Sequence, residues 1–218
     1  MIGHWTILAG ALAASAPAGY AAALAARWLA DDARIPVAAM IALLAGAFVW
    51  SWFVMPDLAL VALSCALAWA LIVLGAVDAL AFRLPDILTL PLIAAGLATA
   101  QWLPQHDLLG HSLAALIAIG AFFAIAAFYQ RARGREGLGM GDVKLAGAAG
   151  AWLGWQALPY VVLLACAAGL VWIGVGAMRR GREALGERIP FGVALCLAIW
   201  IVWLYGPPDA FGPLFYSR

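Results

Sequence analysis

The feature that most restricts this chain is a series of about eight apolar runs, each set off from the next by a short polar break. They lie at roughly 5–26, 36–55, 58–77, 87–103, 112–130, 143–155, 158–178 and 190–206. Most approach the ~20 residues with which an α-helix crosses the ~30 Å hydrocarbon core of a bilayer. A barrel strand would alternate apolar and polar positions, and these runs are continuous. Hydrophobic residues make up 67% of the 218, whereas soluble domains are about half apolar. The expected class is an all-α, polytopic helical membrane protein with about eight transmembrane spans, a single integral-membrane domain over 1–218. The first run has no basic segment before it and reads as a retained span, not a cleaved signal. The sixth run is short for a full crossing at ~1.5 Å per residue. Either it starts below the headgroup level or its ends lie elsewhere.

Charge sets the orientation. Arg27 and Arg34 lie in one break, Arg83 in the next but one, then Arg131, Arg133, Arg135 and Lys144, then Arg179, Arg180, Arg182 and Arg188. Eleven of the 12 basic residues thus fall in alternate breaks, and the twelfth, Arg218, is the last residue. The positive-inside rule places those breaks in the cytoplasm and both termini outside. The formal net charge is only +1, which leaves no basic footprint for nucleic acid. Trp50, Trp52, Trp102 and Trp155, near run ends, fit interfacial belts. Cys65, Cys166 and Cys196 have no metal-ligand spacing and read as small core residues. His4, His106 and His111 fall on the non-cytoplasmic side and make no convincing metal site. No metal and no cofactor is expected.

The stretch Gly137-Leu138-Gly139-Met140-Gly141-Asp142-Val143-Lys144-Leu145 stands directly before an apolar run. Glycine loses the most backbone freedom on ordering, so this stretch resists helix until Asp142. A carboxylate there meets the free N–H groups of a helix start. Alone, it reads as a helix cap. A second aspartate, Asp78, closes the third run, and the charge pattern returns it to the cytoplasmic side as well. Paired carboxylates have a specific use. One takes a proton from water, the other gives one to a carbonyl, and no covalent intermediate forms. Placed close together, such a pair tends to hold one proton. Peptide hydrolysis is the obvious reaction, since no serine sits near a cytoplasmic histidine. Asp142 at a helix start is expected to be the resting base, and Asp78 at a helix end the resting acid. Lys144 and Arg83 flank the two aspartates and are candidates to hold them electrostatically, or to serve as interfacial anchors.

These residues resemble the type IV prepilin peptidases, aspartic proteases of the bacterial inner membrane. The likeness rests on Asp78 seven residues before Pro85 and on Asp86-Ile87-Leu88-Thr89-Leu90-Pro91. It rests also on Glu136 to Leu145, on Gly150-Ala151-Trp152-Leu153-Gly154, and on Ile189-Pro190-Phe191-Gly192. It covers about 58–206. The resemblance implies Asp78 and Asp142 as the catalytic pair, with Gly139, Gly141, Lys144, Arg83 and Pro85 as motif or support. It implies prepilin or pseudopilin substrates of a type IV pilus or type II secretion system, cut at the cytoplasmic face of the bilayer. Longer family members carry paired Cys-x-x-Cys motifs in a cytoplasmic insert after the first span, and many methylate the new N-terminus. Here that loop is Arg27 to Arg34 and has no cysteine, so cleavage without N-methylation is expected. Two other classes compete. A proton-coupled transporter would want ionisable groups at mid-span, and the chain has none. A non-catalytic assembly subunit need not keep both aspartates.

Overall fold

The computed structural model describes residues 2–32, 34–103, 107–134, 137–181 and 189–206, with side chains from residue 13 onward. Arg135, Glu136, His106, Arg182, Arg188 and Arg218, and the side chain of His4, lie outside the described residues. Eight α-helices follow in order: α1 (Ile2–Ala30), α2 (Val37–Val54), α3 (Leu58–Ala81), α4 (Asp86–Trp102), α5 (Leu108–Arg133), α6 (Met140–Leu153), α7 (Leu158–Arg180) and α8 (Phe191–Tyr205). No strand occurs among the described residues.

The exterior is apolar. Trp28, Phe53, Leu116, Phe128, Trp172 and Met178 are all exposed, a surface that lipid and not water must cover. Among the described residues, α2, α3, α5 and α7 are long and apolar enough to cross a bilayer, and α8 is apolar but shorter at 15 residues. The chain is therefore a polytopic helical membrane protein. α6 has 14 residues and reaches only about 21 Å. Its bounds differ from the expected 143–155, yet it stays short because it is interior. Nine of its residues, from Val143 to Trp152, are buried, packed by α4, α5 and α8.

Small residues make that interior position possible. A Cβ on Gly150 would stand 2.6 Å from the Ala114 backbone of α5, and one on Gly96 of α4 would stand 2.5 Å from the Trp152 ring. Close backbone approach of this kind is how helices associate where no hydrophobic effect separates them from lipid. Polar groups inside are paired. Trp203 Nε1 donates to Ser64 Oγ at 2.8 Å, and Trp152 Nε1 donates to the Leu92 carbonyl at 2.8 Å. His111 Nδ1 lies 2.9 Å from the Ala151 carbonyl near the end of α6.

Helix ends follow local chemistry. Asp57 accepts from Leu60 N at 2.8 Å and starts α3, and Asp107 accepts from Leu109 and Gly110 N and starts α5. Pro36, Pro85 and Pro190 precede α2, α4 and α8 with φ near −75°, −72° and −72°, the value their rings impose. α3, α4, α6 and α8 all place one end at the same side of the bundle, where the two aspartates lie.

Candidate active site

Asp78 lies inside α3, one turn before its end, and is only 6% exposed. A buried carboxyl in an apolar helix needs hydrogen-bond partners. It finds them at the start of α8. Val193 N donates to Asp78 Oδ2 at 3.1 Å, and Gly192 N–H also points at the carboxyl. These are first-turn N–H groups, which have no partner within their own helix. The contact requires glycine at 192. A Cβ there would stand 2.7 Å from Asp78 Oδ2 and 2.8 Å from its Cγ.

Asp142 is the third residue of α6, after Gly139 in extended conformation (φ −73°, ψ 148°). Its N–H donates to the Gly139 carbonyl at 3.1 Å, and its carboxyl receives the Gly139 N–H. This is the acidic half of a capping box. Asp142 is partly exposed. The two glycines around it differ. A Cβ on Gly139 would meet Asp142 Oδ2 at an ordinary 3.5 Å, whereas one on Gly141 would stand 2.7 Å from Leu84 Cβ.

Asp78 and Asp142 line one cavity of about 670 Å³ and lie within electrostatic reach of each other. Phe82, the Gly137–Gly139 segment, Ile189 and Phe191 line it near the carboxyls, and α7 forms a side wall through Cys166, Gly169, Leu170 and Ile173. The wall residues recur at helical spacing, so one apolar stripe of α7 runs alongside the acidic pair. Two carboxyls in a largely apolar cleft can act on a water and an amide carbonyl held between them. Among the described residues no group of three or more His, Cys, Asp or Glu could hold a metal ion.

The profile of the type IV leader peptidase family matches residues 65–174, half of the chain, and this span includes both aspartates. The chain belongs to the type IV leader peptidase family. Its relatives include proteins named prepilin leader peptidase/N-methyltransferase. That of Burkholderia pseudomallei is 40% identical over 139 residues, covering 64% of this chain and 45% of the relative. That of Aeromonas salmonicida is 37% identical over 143 residues, covering 64% and 48%. That of Pseudomonas aeruginosa is 35% identical over 140 residues, again 64% and 48%. The match thus spans about half the length of these curated relatives. No solved structure matches.

Several neighbours expected around the aspartates are engaged elsewhere. Lys144 pairs with Asp86 at the start of α4, not with Asp142. Arg83 donates to the Leu29 carbonyl at 2.6 Å and so closes the last turn of α1. Pro85 starts α4, and its carbonyl accepts from Leu88 and Thr89 N. The expected division of labour between Asp142 and Asp78 gains one further consideration. Asp78 lies in the last turn of α3 and is buried, but its carboxyl is also docked on the N-terminus of α8. Both aspartates therefore meet positive helix ends. Cys166, expected in the core, is exposed and lines the cavity, while Cys196 is buried and Cys65 half-buried. Leu84 was not singled out from sequence, and Gly192 was named only within the Ile189-Pro190-Phe191-Gly192 stretch, with no site role. The signal for Gly192 was present in Pro190-Phe191-Gly192, a proline–glycine helix start directly before an apolar run.

Proposed function

We propose that this chain is an aspartic endopeptidase of the bacterial inner membrane, cleaving the basic leader from prepilins or pseudopilins at the cytoplasmic face. The observation that carries the reading is the shared cavity of Asp78 and Asp142, each fixed by the N–H groups of a helix start. Gly139 and Gly141 shape the start of α6, and Pro85 the start of α4 beside it. In the proposed reaction one carboxylate takes a proton from the attacking water as its oxygen bonds to the scissile carbonyl carbon. The other carboxyl protonates the carbonyl oxygen. The tetrahedral diol then collapses: one of its hydroxyls gives its proton to the carboxylate that had acted as acid, the C–N bond breaks, and the amine leaves with the proton taken from water, so the pair again holds one proton.

The proposed topology has eight spans and both termini outside, which puts the α3–α4, α5–α6 and α7–α8 connections in the cytoplasm. The whole of 1–218 then acts as one membrane-embedded domain, with 58–206 as its family-like part. A basic leader in the cytoplasm would present its junction to the aspartates, and the apolar segment beyond the junction would enter the bilayer beside α7. The test is incubation of the purified protein in lipid nanodiscs with prepilin-like peptides carrying a basic leader, a glycine and an apolar helix. Mass analysis should find a single cut after the glycine. A panel left intact would overturn the proposal.

A further inference from the structure

We infer that Leu84 is a positioning residue, whose side chain fixes the two aspartates relative to one another. The inference rests on reading Asp78 and Asp142 as the catalytic pair. Leu84 lies in the short link between α3 and α4 and is 8% exposed. Two helix starts press on it. A Cβ added to Gly141 would stand 2.7 Å from Leu84 Cβ and 3.2 Å from Leu84 N. One added to Gly192 would stand 3.0 Å from Leu84 Cδ1. The start of α6 carries Asp142, and the start of α8 holds the carboxyl of Asp78 through Val193 N. One leucine therefore separates the two platforms on which the carboxyls rest. Packed interiors transmit such displacements, because they hold few voids to absorb them.

The link itself is tied down at both ends. Phe82 adopts a left-handed conformation (φ 50°, ψ 38°) and its N–H closes α3 on the Asp78 carbonyl at 3.0 Å. A non-glycine residue in that region is uncommon and is held there by its surroundings. At the other end, Lys144 of α6 pairs with Asp86, the first residue of α4. The pair straps the link that contains Leu84 to the same helix start that bears Asp142. Truncating Leu84 to alanine keeps the Cβ that faces Gly141 but removes the Cδ1 that faces Gly192, so the start of α8 loses its stop against the start of α6.

The experiment compares Leu84→Ala, Leu84→Met and Leu67→Ala in nanodiscs, with prepilin-like peptide as substrate. Leu67 is fully buried elsewhere on α3, so it reports the cost of a truncated core leucine alone. Leu84→Ala should lower kcat on the order of 100-fold, the effect of a misplacement of about 1 Å, with KM unchanged. Leu84→Met, which keeps the volume, should restore most of the rate, and Leu67→Ala should keep it. The double exchange Asp86→Lys with Lys144→Asp should recover what either single change loses. A second measurement needs no activity. In a chain whose native cysteines are replaced, Asp78→Cys and Asp142→Cys are joined with bismaleimides of graded length. With Leu84 present one length should dominate, and with Leu84→Ala the yield should spread over several. An unchanged kcat in Leu84→Ala, or an unchanged length profile, would overturn the inference. A profile that depends on Leu84 in a chain that cleaves no peptide would support the spacer and overturn the proposed activity instead.

Discussion

Replacing Gly192 by alanine tests the docking of Asp78 with a single methyl group. The new Cβ would lie 2.7 Å from Asp78 Oδ2, whereas ordinary contact begins at 3.4 Å. The carboxyl, or the start of α8, must therefore give way by about 0.7 Å. The Val193 N to Oδ2 distance is 3.1 Å, and that displacement would carry it to about 3.8 Å, beyond hydrogen-bond range. Losing such a bond costs about 1 kcal/mol or more. Misplacing a reacting group by about 1 Å costs on the order of 100-fold in rate. Alanine is a better helix former than glycine by up to ~1 kcal/mol, so the fold should survive. The expected outcome is a kcat lowered between about 10-fold and 100-fold, an unchanged KM, and a thermal midpoint close to that of the parent. Gly75→Ala is the matched control, one turn away from Asp78 on α3 with nothing within 4 Å of its added Cβ. It should cleave normally. Wild-type kcat in Gly192→Ala would refute the claim that glycine is there to admit the carboxyl.

Three other outcomes are expected. Gly141→Ala should slow cleavage far more than Gly139→Ala, because its Cβ would press on Leu84 at 2.7 Å while that of Gly139 finds 3.5 Å of room; equal rates in the two variants would count against this packing. Cysteines introduced at the exposed positions Gly134 and Gly181 should react with an impermeant maleimide only from the cytoplasmic side, and one at Gln156 only from outside; labelling of Gly134 and Gln156 from the same side would break the eight-span topology. Purified protein given prepilin-like peptide and S-adenosylmethionine should yield an unmethylated new N-terminus, since only six residues join α1 to α2; a methylated product by mass would contradict it.

The helices were legible in the sequence because burial in lipid demands apolar length, and apolar length is visible residue by residue. Their ends were less so. α3 runs past Asp78 to Ala81, because a buried carboxyl that finds partners on another helix need not end its own. α6 begins at Met140 despite Gly141, since a glycine in the first turn costs little where close approach to Leu84 requires it. Both aspartates could be picked out as a pair from motif and loop charge. Their neighbours could not. Sequence adjacency put Lys144 beside Asp142 and Arg83 beside Asp78, but a side chain on a helix start faces one direction only. Lys144 reaches across to α4, and Arg83 reaches back to α1. The seat of Asp78 on Gly192 and Val193 joins residues 115 apart in the chain. No local pattern encodes that contact, only the packing of α3 against α8.

Asp78 and Asp142 are proposed to act as one unit on a peptide bond, which single and double asparagine variants put to the test. The measurement is kcat/KM for one prepilin-like peptide with the parent, Asp78→Asn, Asp142→Asn and the double variant, all in the same nanodiscs. Carboxyls that work as a pair are grossly non-additive. Each single change should therefore lower the rate by several powers of ten, and the double change should lower it little further. Cleavage that persists in either single variant at near-parental rate would rule out paired action of the two carboxyls.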